Sequence, residues 1–342
     1  MTETLKLLVN GFELDADSSE SIMSDIIARK MRPEQVGAFL ATLHFRPPTA
    51  RMLAGFVRAF QKHTVTVPLA PELVNNLVDV CGTGGDGLQS FNVSTAVAFV
   101  TAAAGQPVAK HGNRAVSSRC GSFDVLEALG VPFADTPEEA AQSLKRHRLA
   151  FMYAPSFHPV LRELAPVRRA LGFRTVFNVL GPLLNPAGVR RQLVGVYSQD
   201  LVVPVAETLG ELGAIEAMVV HGADGADELS ISAPTKVAHL RDGRVQLSIV
   251  APEDFGLNRG VPEAIVGSDP DVNARILANV LSGEPGPRRD MVILNAAAAL
   301  VVGGRAQDMH EGVSIARTTL ETGKARVLLD EMKEALSLGA VQ

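Results

Sequence analysis

Residues 78–100 read VDVCGTGGDGLQSFNVSTAVAFV: two apolar segments parted by a loop with four glycines, an aspartate and several hydroxyls. The first segment, begun by Leu77, has the composition of a short strand. The second, Ser94–Gly105, has the small apolar residues of a buried helix. So much bare backbone suits either a close approach to an anion or a tight strand-to-helix turn. The spacing matches neither GxGxxG nor the GK[ST] ending of a Walker loop, so the loop alone leaves both readings open.

The alternation continues downstream. Strands are expected at Pro107–Lys110, Leu149–Ala154, Gln192–Tyr197 and Glu216–His221, with helices at Phe123–Gly130, Pro137–His147 and Val202–Gly213 between them. Such a pattern predicts an α/β fold with a mainly parallel central sheet flanked by helices. Val237–Val250 reads as a hairpin turning at Asp242-Gly243, and the last seventy or so residues read as helical. Upstream the chain is all helical. Ser18-Ser19 is expected to cap a helix running to Arg29-Lys30, Pro33 to open a second, and Pro48–His63 to form a third. The expected organisation is a small N-terminal all-helical domain over 1–72, completed by part of the proline-rich stretch 157–190, and a large α/β domain over 73–342.

Composition narrows the class. The 342 residues are 46% hydrophobic with a net charge of −5, which argues against a nucleic-acid binder although Arg168-Arg169 and Arg288-Arg289 remain local basic clusters. Cys81 and Cys120 make neither a disulfide framework nor a CxxC pair and read as reduced thiols. No apolar run reaches the length of a signal core or a membrane span. A cytoplasmic protein with no membrane partner is expected.

Three polar blocks follow successive strands, and ligands of open α/β sheets bind beyond the carboxyl ends of strands. The first is the Gly loop with Asn92, Ser94 and Thr95 opening a helix, where unpaired N–H groups favour phosphate. The second, KHGNRAVSSRCGS from Lys110, supplies cations and hydroxyls. The third, HGADGADELS from His221, supplies Asp224, Asp227 and Glu228, hard oxygen donors of the kind that bridge Mg²⁺ to phosphates. Taken singly, Ser94 is an ordinary N-cap, Lys110 a solvated lysine, His111 a loop histidine and the acidic loop a turn in water. Together they read as a polyanion site, because an acidic loop would repel a polyphosphate unless a cation lay between them.

The three blocks, with GSFDVLEALG from Gly121, APVRRALGFRTVFNVLGPLLNP from Ala165 and GPRRDMVILNAAAAL from Gly286, resemble the anthranilate phosphoribosyltransferase family over nearly the whole chain. The resemblance implies a helical domain hinged to the α/β domain, with phosphoribosyl pyrophosphate between them, two Mg²⁺ ions and a homodimer. It assigns Gly82, Thr83, Gly84, Gly85, Asp86, Ser90, Asn92, Val93, Ser94 and Thr95 to phosphoribosyl pyrophosphate. Lys110, His111, Gly112, Asn113, Arg114, Ala115, Val116, Ser117, Ser118 and Ser122 would complete that site. Ser94, Asp227 and Glu228 would hold the metal. Gly82, Asn113 and Arg168 would bind anthranilate, with His111 and His158 near its path. Cys120 and Phe123 stand where the family more often has Ser and Ala, and Phe123 is expected to turn into the core.

The implied reaction joins an arylamine to C1 of the ribose and expels pyrophosphate. A neutral arylamine needs no strong base and no covalent intermediate, so Lys110, Asn113 and Arg168 would position and stabilise. Two other readings of the fold are a pyrimidine nucleoside phosphorylase-like enzyme and a non-catalytic nucleic-acid-binding relative. The acidic charge and the retained Asp227 and Glu228 disfavour the second.

Overall fold

The computed structural model describes residues 2–115 and 119–339. The N-terminal helices are α1 (Thr2–Val9), α2 (Ala16–Ile27), α3 (Pro33–Phe45) and α4 (Ala50–Gln61), followed by the short α5 (Pro71–Asn76). Apolar residues at helical spacing decide their packing: Ile22, Met23, Ile26 and Ile27 of α2 and Leu53, Phe56, Val57 and Phe60 of α4 are buried together. Pro33 opens α3 as expected. The start of α2 differs from expectation, because the Asp15 carboxylate accepts the Ser18 N–H at 2.7 Å and so caps the helix three residues earlier. Its end is also earlier, since Arg29 takes a left-handed φ of 55°.

Seven strands form one sheet in the order β3-β2-β1-β4-β5-β6-β7. They are β1 (Val78–Gly82), β2 (Val108–Gly112), β3 (Leu149–Tyr153), β4 (Arg191–Gly195), β5 (Glu216–Gly222), β6 (Thr235–Arg241) and β7 (Arg244–Val250). The pairs from β3 through β5 are parallel, and β6 and β7 close the edge antiparallel. Asp242 and Gly243 turn that hairpin with φ of 51° and 71°, the primed-turn geometry that Asp-Gly favours. The crossovers are α6 (Val93–Ala103), α7 (Ser122–Leu129), α8 (Pro137–His147) and α13 (Val202–Glu211). The segment between β3 and β4 holds α9 (Ala154–Phe157), α10 (Pro159–Glu163), α11 (Ala165–Leu171) and α12 (Phe177–Leu180). Its frequent prolines keep these helices short. The chain finishes with α14 (Pro270–Leu281), α15 (Pro287–Val302), α16 (Met309–Glu321) and α17 (Lys324–Gly339).

Two large cores lie on opposite faces of the sheet, and a smaller third packs Ala109, Ala150 and Met152 of β2 and β3 against Ala140 and Leu144 of α8. On one face, Val78 and Val80 pack against α6, α7 and the four C-terminal helices, with Phe123 fully buried among them. On the other, β4 and β5 pack against α13, and the same apolar cluster runs on through α4 into the helical domain and takes in Leu164, Phe177 and Leu180 of the connecting segment. Among the described residues no helix is long and apolar enough to cross a membrane.

Candidate active site

Strand β1 lies where the chain order reverses, with β2 on one side and β4 on the other. In open α/β sheets this is the crevice that takes a ligand. Its two flanks are unequal. Against β4 it holds five residues in register, Val78 opposite Arg191 through Gly82 opposite Gly195, but against β2 only Val78 pairs, with Val108. The strands splay toward their carboxyl ends, and side chains fill the gap.

Side chains alternate across a strand, so Lys110 and His111 of β2 face opposite ways. Lys110 turns to the α6 side. It is 3% exposed, and its Nζ donates to the Val80 carbonyl at 2.6 Å and to Ser94 Oγ, in the first turn of α6, at 3.0 Å. An ammonium has three donors, so one remains for a ligand.

The acidic loop closes on the same point. Gly84 N donates to Asp227 Oδ2 at 2.7 Å, while the Glu228 carboxylate lies toward the Ser94 N–H and Asp86 toward the Asp227 N–H. Thr83 N donates to the Gly195 carbonyl at 2.9 Å, which draws the Gly loop to the end of β4. A side chain at Gly195 would run into the Asp227 carbonyl, and one at Gly82 into the Asp227 carboxylate, so both strands must end in glycine for the loop to come this close. Behind the carboxylates, Leu229 N donates to Asn295 Oδ1 of α15 at 2.8 Å. Burial, then the neighbouring Asp86, push the Asp227 carboxyl up to about 6. Burial, then Asp227, hold Glu228 well above the usual carboxylate range. The loop is short of positive charge, and its hard oxygen donors suit Mg²⁺. No cluster of three or more His, Cys, Asp or Glu groups at ligand spacing occurs among the described residues.

On the other face, His111 meets His158, which follows α9. Burial holds both below the ordinary imidazole range: His111 well below it, His158 down to about 4. His158 Nδ1 lies 3.3 Å from Thr64 Oγ1, tying it to the end of the helical domain. Beneath them the fully buried Asp79 accepts the His111 N–H at 3.3 Å through Oδ1 and Asn185 Nδ2 at 2.7 Å through Oδ2. Asn185 Nδ2 also donates to the Ala109 carbonyl at 2.8 Å, so one amide stands between β1 and β2 where their ladder has parted.

The remaining expected residues are spread more widely. Ser122 Oγ donates to the Asn113 carbonyl at 3.1 Å, and the Asn113 side chain is exposed beside it. Arg114 is committed to Glu127 at 2.6 Å and Asp124 at 3.4 Å. Ala115 N donates to Asp124 Oδ2 at 2.8 Å. The Asn92 amide is also occupied, donating to the Cys120 carbonyl at 3.3 Å and accepting from Asn273 at 3.0 Å. Val93 and Thr95 are buried at the start of α6, and Thr95 Oγ1 has no partner in the structure. Ser90 is half-buried and bridges to Val266. Val116, Ser117 and Ser118 lie outside the described residues. Arg168 of α11 rests over the Phe177 ring with Cζ 5.6 Å from its centroid, and makes no salt bridge among the described residues. Arg288 donates to the Val266 carbonyl and Arg289 pairs with Asp290, which occupies the other basic cluster.

Sequence reasoning passed over Asp79, Asn185 and Arg174. Arg174 Nη1 donates to the Gly85 carbonyl at 2.8 Å while its Cζ lies 4.4 Å above the Tyr197 ring. Asp79 was the one with a visible signal, a lone carboxylate inside an apolar strand.

Two family models cover the chain, the glycosyl transferase family helical bundle domain over residues 2–64 and the glycosyl transferase family a/b domain over 74–326. An anthranilate phosphoribosyltransferase of Symbiobacterium thermophilum is 47% identical over 98% of this chain and 97% of its own length. The crystal structure of anthranilate phosphoribosyltransferase from Thermus thermophilus superposes with a TM-score of 0.91 at 38% identity, covering 98% of this chain and 99% of that one. The enzyme from Saccharomyces cerevisiae in complex with PRPP and Mg superposes with a TM-score of 0.87 at 28% identity, over 98% and 97%.

Proposed function

The chain belongs to the anthranilate phosphoribosyltransferases, within the glycosyl transferase family, and we propose that it joins its two substrates in the crevice beyond Gly82, Gly112 and Gly195. The enzyme transfers the phosphoribosyl group of phosphoribosyl pyrophosphate to the amine of anthranilate, a step of tryptophan biosynthesis, and uses Mg²⁺. The C1–O bond to pyrophosphate breaks as the N–C1 bond forms, and the amine gives up a proton.

In our reading the Gly loop from Gly82 to Asp86 and the first turn of α6 wrap the diphosphate, and the free N–H of Lys110 Nζ meets one of its oxygens. Fixed donors aimed at developing charge are the strongest catalytic device open to such a site. Asp227, Glu228 and Ser94 Oγ would hold two Mg²⁺ ions, which supply the positive charge that lets pyrophosphate leave. Arg168, without a salt bridge among the described residues and half-buried, offers a guanidinium fork to the anthranilate carboxylate, and Asn113 is exposed at the end of β2. His111 and His158 line the path of the ring, and their depressed pKa values keep them uncharged there. What remains is orientation of the amine in line with C1.

The small helical domain and the α/β domain are taken to meet near residue 72. Its exposed Leu7, Val9, Phe12 and Phe45 are the surface we assign to a homodimer contact, since the apolar faces of α3 and α4 are already core. The free, buried Cys81 and Cys120 fit a cytoplasmic protein, and the acidic net charge fits one without a nucleic-acid partner.

The observation that carries the site assignment is the meeting of Lys110, Ser94, Asp227 and Glu228 at the end of β1. It is tested by anthranilate fluorescence with phosphoribosyl pyrophosphate and Mg²⁺. Loss of signal that stops with chelator, and with Lys110→Met and Glu228→Gln, supports the assignment. Unchanged turnover in both variants would overturn it.

A further inference from the structure

Helix α15 is apolar and buried from Met291 to Val302 except at one position, Asn295, which is 0% exposed. An amide there must find partners or leave polar atoms buried and unpaired, which destabilises a fold. Asn295 finds two of its three in a single residue of the acidic loop, and the third in its own helix. Its Nδ2 donates to the Leu229 carbonyl at 2.8 Å and to Met291 O, one turn back, at 2.9 Å. Its Oδ1 accepts the Leu229 N–H at 2.8 Å. Donor and acceptor of one residue are matched as they are between the hydrogen-bonded residues of an antiparallel strand pair. Here a side chain takes the place of the strand.

Leu229 follows Glu228 directly. From the crevice side Asp227 is met by Gly84 N, and from behind the backbone is gripped by Asn295. Asp227 and Glu228 are adjacent like charges on the backbone that Asn295 fixes through Leu229. A dication needs them together.

We propose that Asn295, which touches no substrate, is a positioning residue that sets the metal affinity of the site by holding Leu229 through both backbone groups. This rests on the reading that Asp227 and Glu228 hold Mg²⁺. Partners that orient metal ligands from behind are commonly worth 10–100-fold in affinity.

The probe is Mn²⁺, titrated into the full chain with phosphoribosyl pyrophosphate and followed by the electron paramagnetic resonance signal of the free ion. Wild type is expected to bind, Glu228→Gln to lose binding, and Asn295→Ala to bind about 10–100-fold more weakly. Raised Mg²⁺ should recover the kcat of Asn295→Ala, with the KM for anthranilate unmoved. If wild type takes up no Mn²⁺, the metal reading itself fails. If wild type binds, Glu228→Gln does not, and a folded Asn295→Ala binds like wild type, the metal reading stands and the proposal is overturned. Should Asn295→Ala not fold, hydrogen exchange on wild type decides. A Leu229 amide protected like a strand amide before any metal is added supports the clamp, and one that exchanges freely overturns it.

Discussion

His111 and His158 meet edge to face, ring centroids 4.9 Å apart and planes at 70°, and each has a buried Nε2 with no hydrogen-bond partner in the structure. Two buried nitrogens without a partner, on rings set against each other, favour neutral imidazole over the charged form. The pH dependence follows. His158 titrates near 4 in the fold against 6.5 ordinarily, so the unfolded chain takes up protons where the fold does not. Stability therefore falls as pH drops below about 6.5, by about 3 kcal/mol once pH reaches 4. Lys110 adds to the depression at His111, whereas Asp79, raised by burial, titrates with the opposite slope. Thermal melts of wild type and His158→Gln between pH 7.5 and 5 isolate the histidine part. The variant should show the shallower slope.

Lys110→Met should lower kcat/KM for phosphoribosyl pyrophosphate by about 100–1,000-fold, the usual cost of losing one fixed donor to developing charge. The melting temperature should drop by only a few degrees, since the loss to the fold is two hydrogen bonds, to the Val80 carbonyl and to Ser94 Oγ. Steady-state kinetics beside a melt checks both. Arg is not expected to restore the rate, because its planar fork does not fit a position 3% exposed.

Gly195→Ala tests the close approach of β4 to the acidic loop. The added methyl falls on the Asp227 carbonyl, which is backbone and cannot swing aside. The loop must shift, and activity should fall at least 100-fold with weaker Mn²⁺ binding, while a urea melt shows a loss of about 1–3 kcal/mol.

Asn185→Ala removes the amide that stands between β1 and β2. The buried Asp79 loses a donor and the Ala109 carbonyl is left unpaired, a cost of about 1–3 kcal/mol in urea denaturation. Because Asp79 also holds the His111 N–H, the KM for anthranilate should rise more than the KM for phosphoribosyl pyrophosphate.

The framework of the fold was legible wherever chemistry was local. The Gly-rich loop after LVDV, the Asp-Gly turn and Pro33 at a helix start each act within a few residues, and each has its counterpart in the structure. Ser18 misleads because the better cap, Asp15, lies three residues upstream in an ordinary acidic stretch. In the site, Lys110 stood out as a charge ending an apolar strand. Asn185 and Asn295 did not, for their partners lie 106 and 66 residues away and only the folded sheet brings them together. Asn92 shows the converse, a residue in the right block whose amide is held by Cys120 and Asn273.

The unequal flanks of β1 have a consequence for synthesis. Its full partner, β4, starts at Arg191, more than one hundred residues after the Gly loop. A chain emerging from the ribosome completes β1, β2 and β3 with only the Val78–Val108 pair to join the first two, and Thr83 N has no Gly195 carbonyl to meet. Until β4 arrives the nascent domain carries an open strand edge beside its most glycine-rich segment, the condition in which growing chains aggregate or call on chaperones.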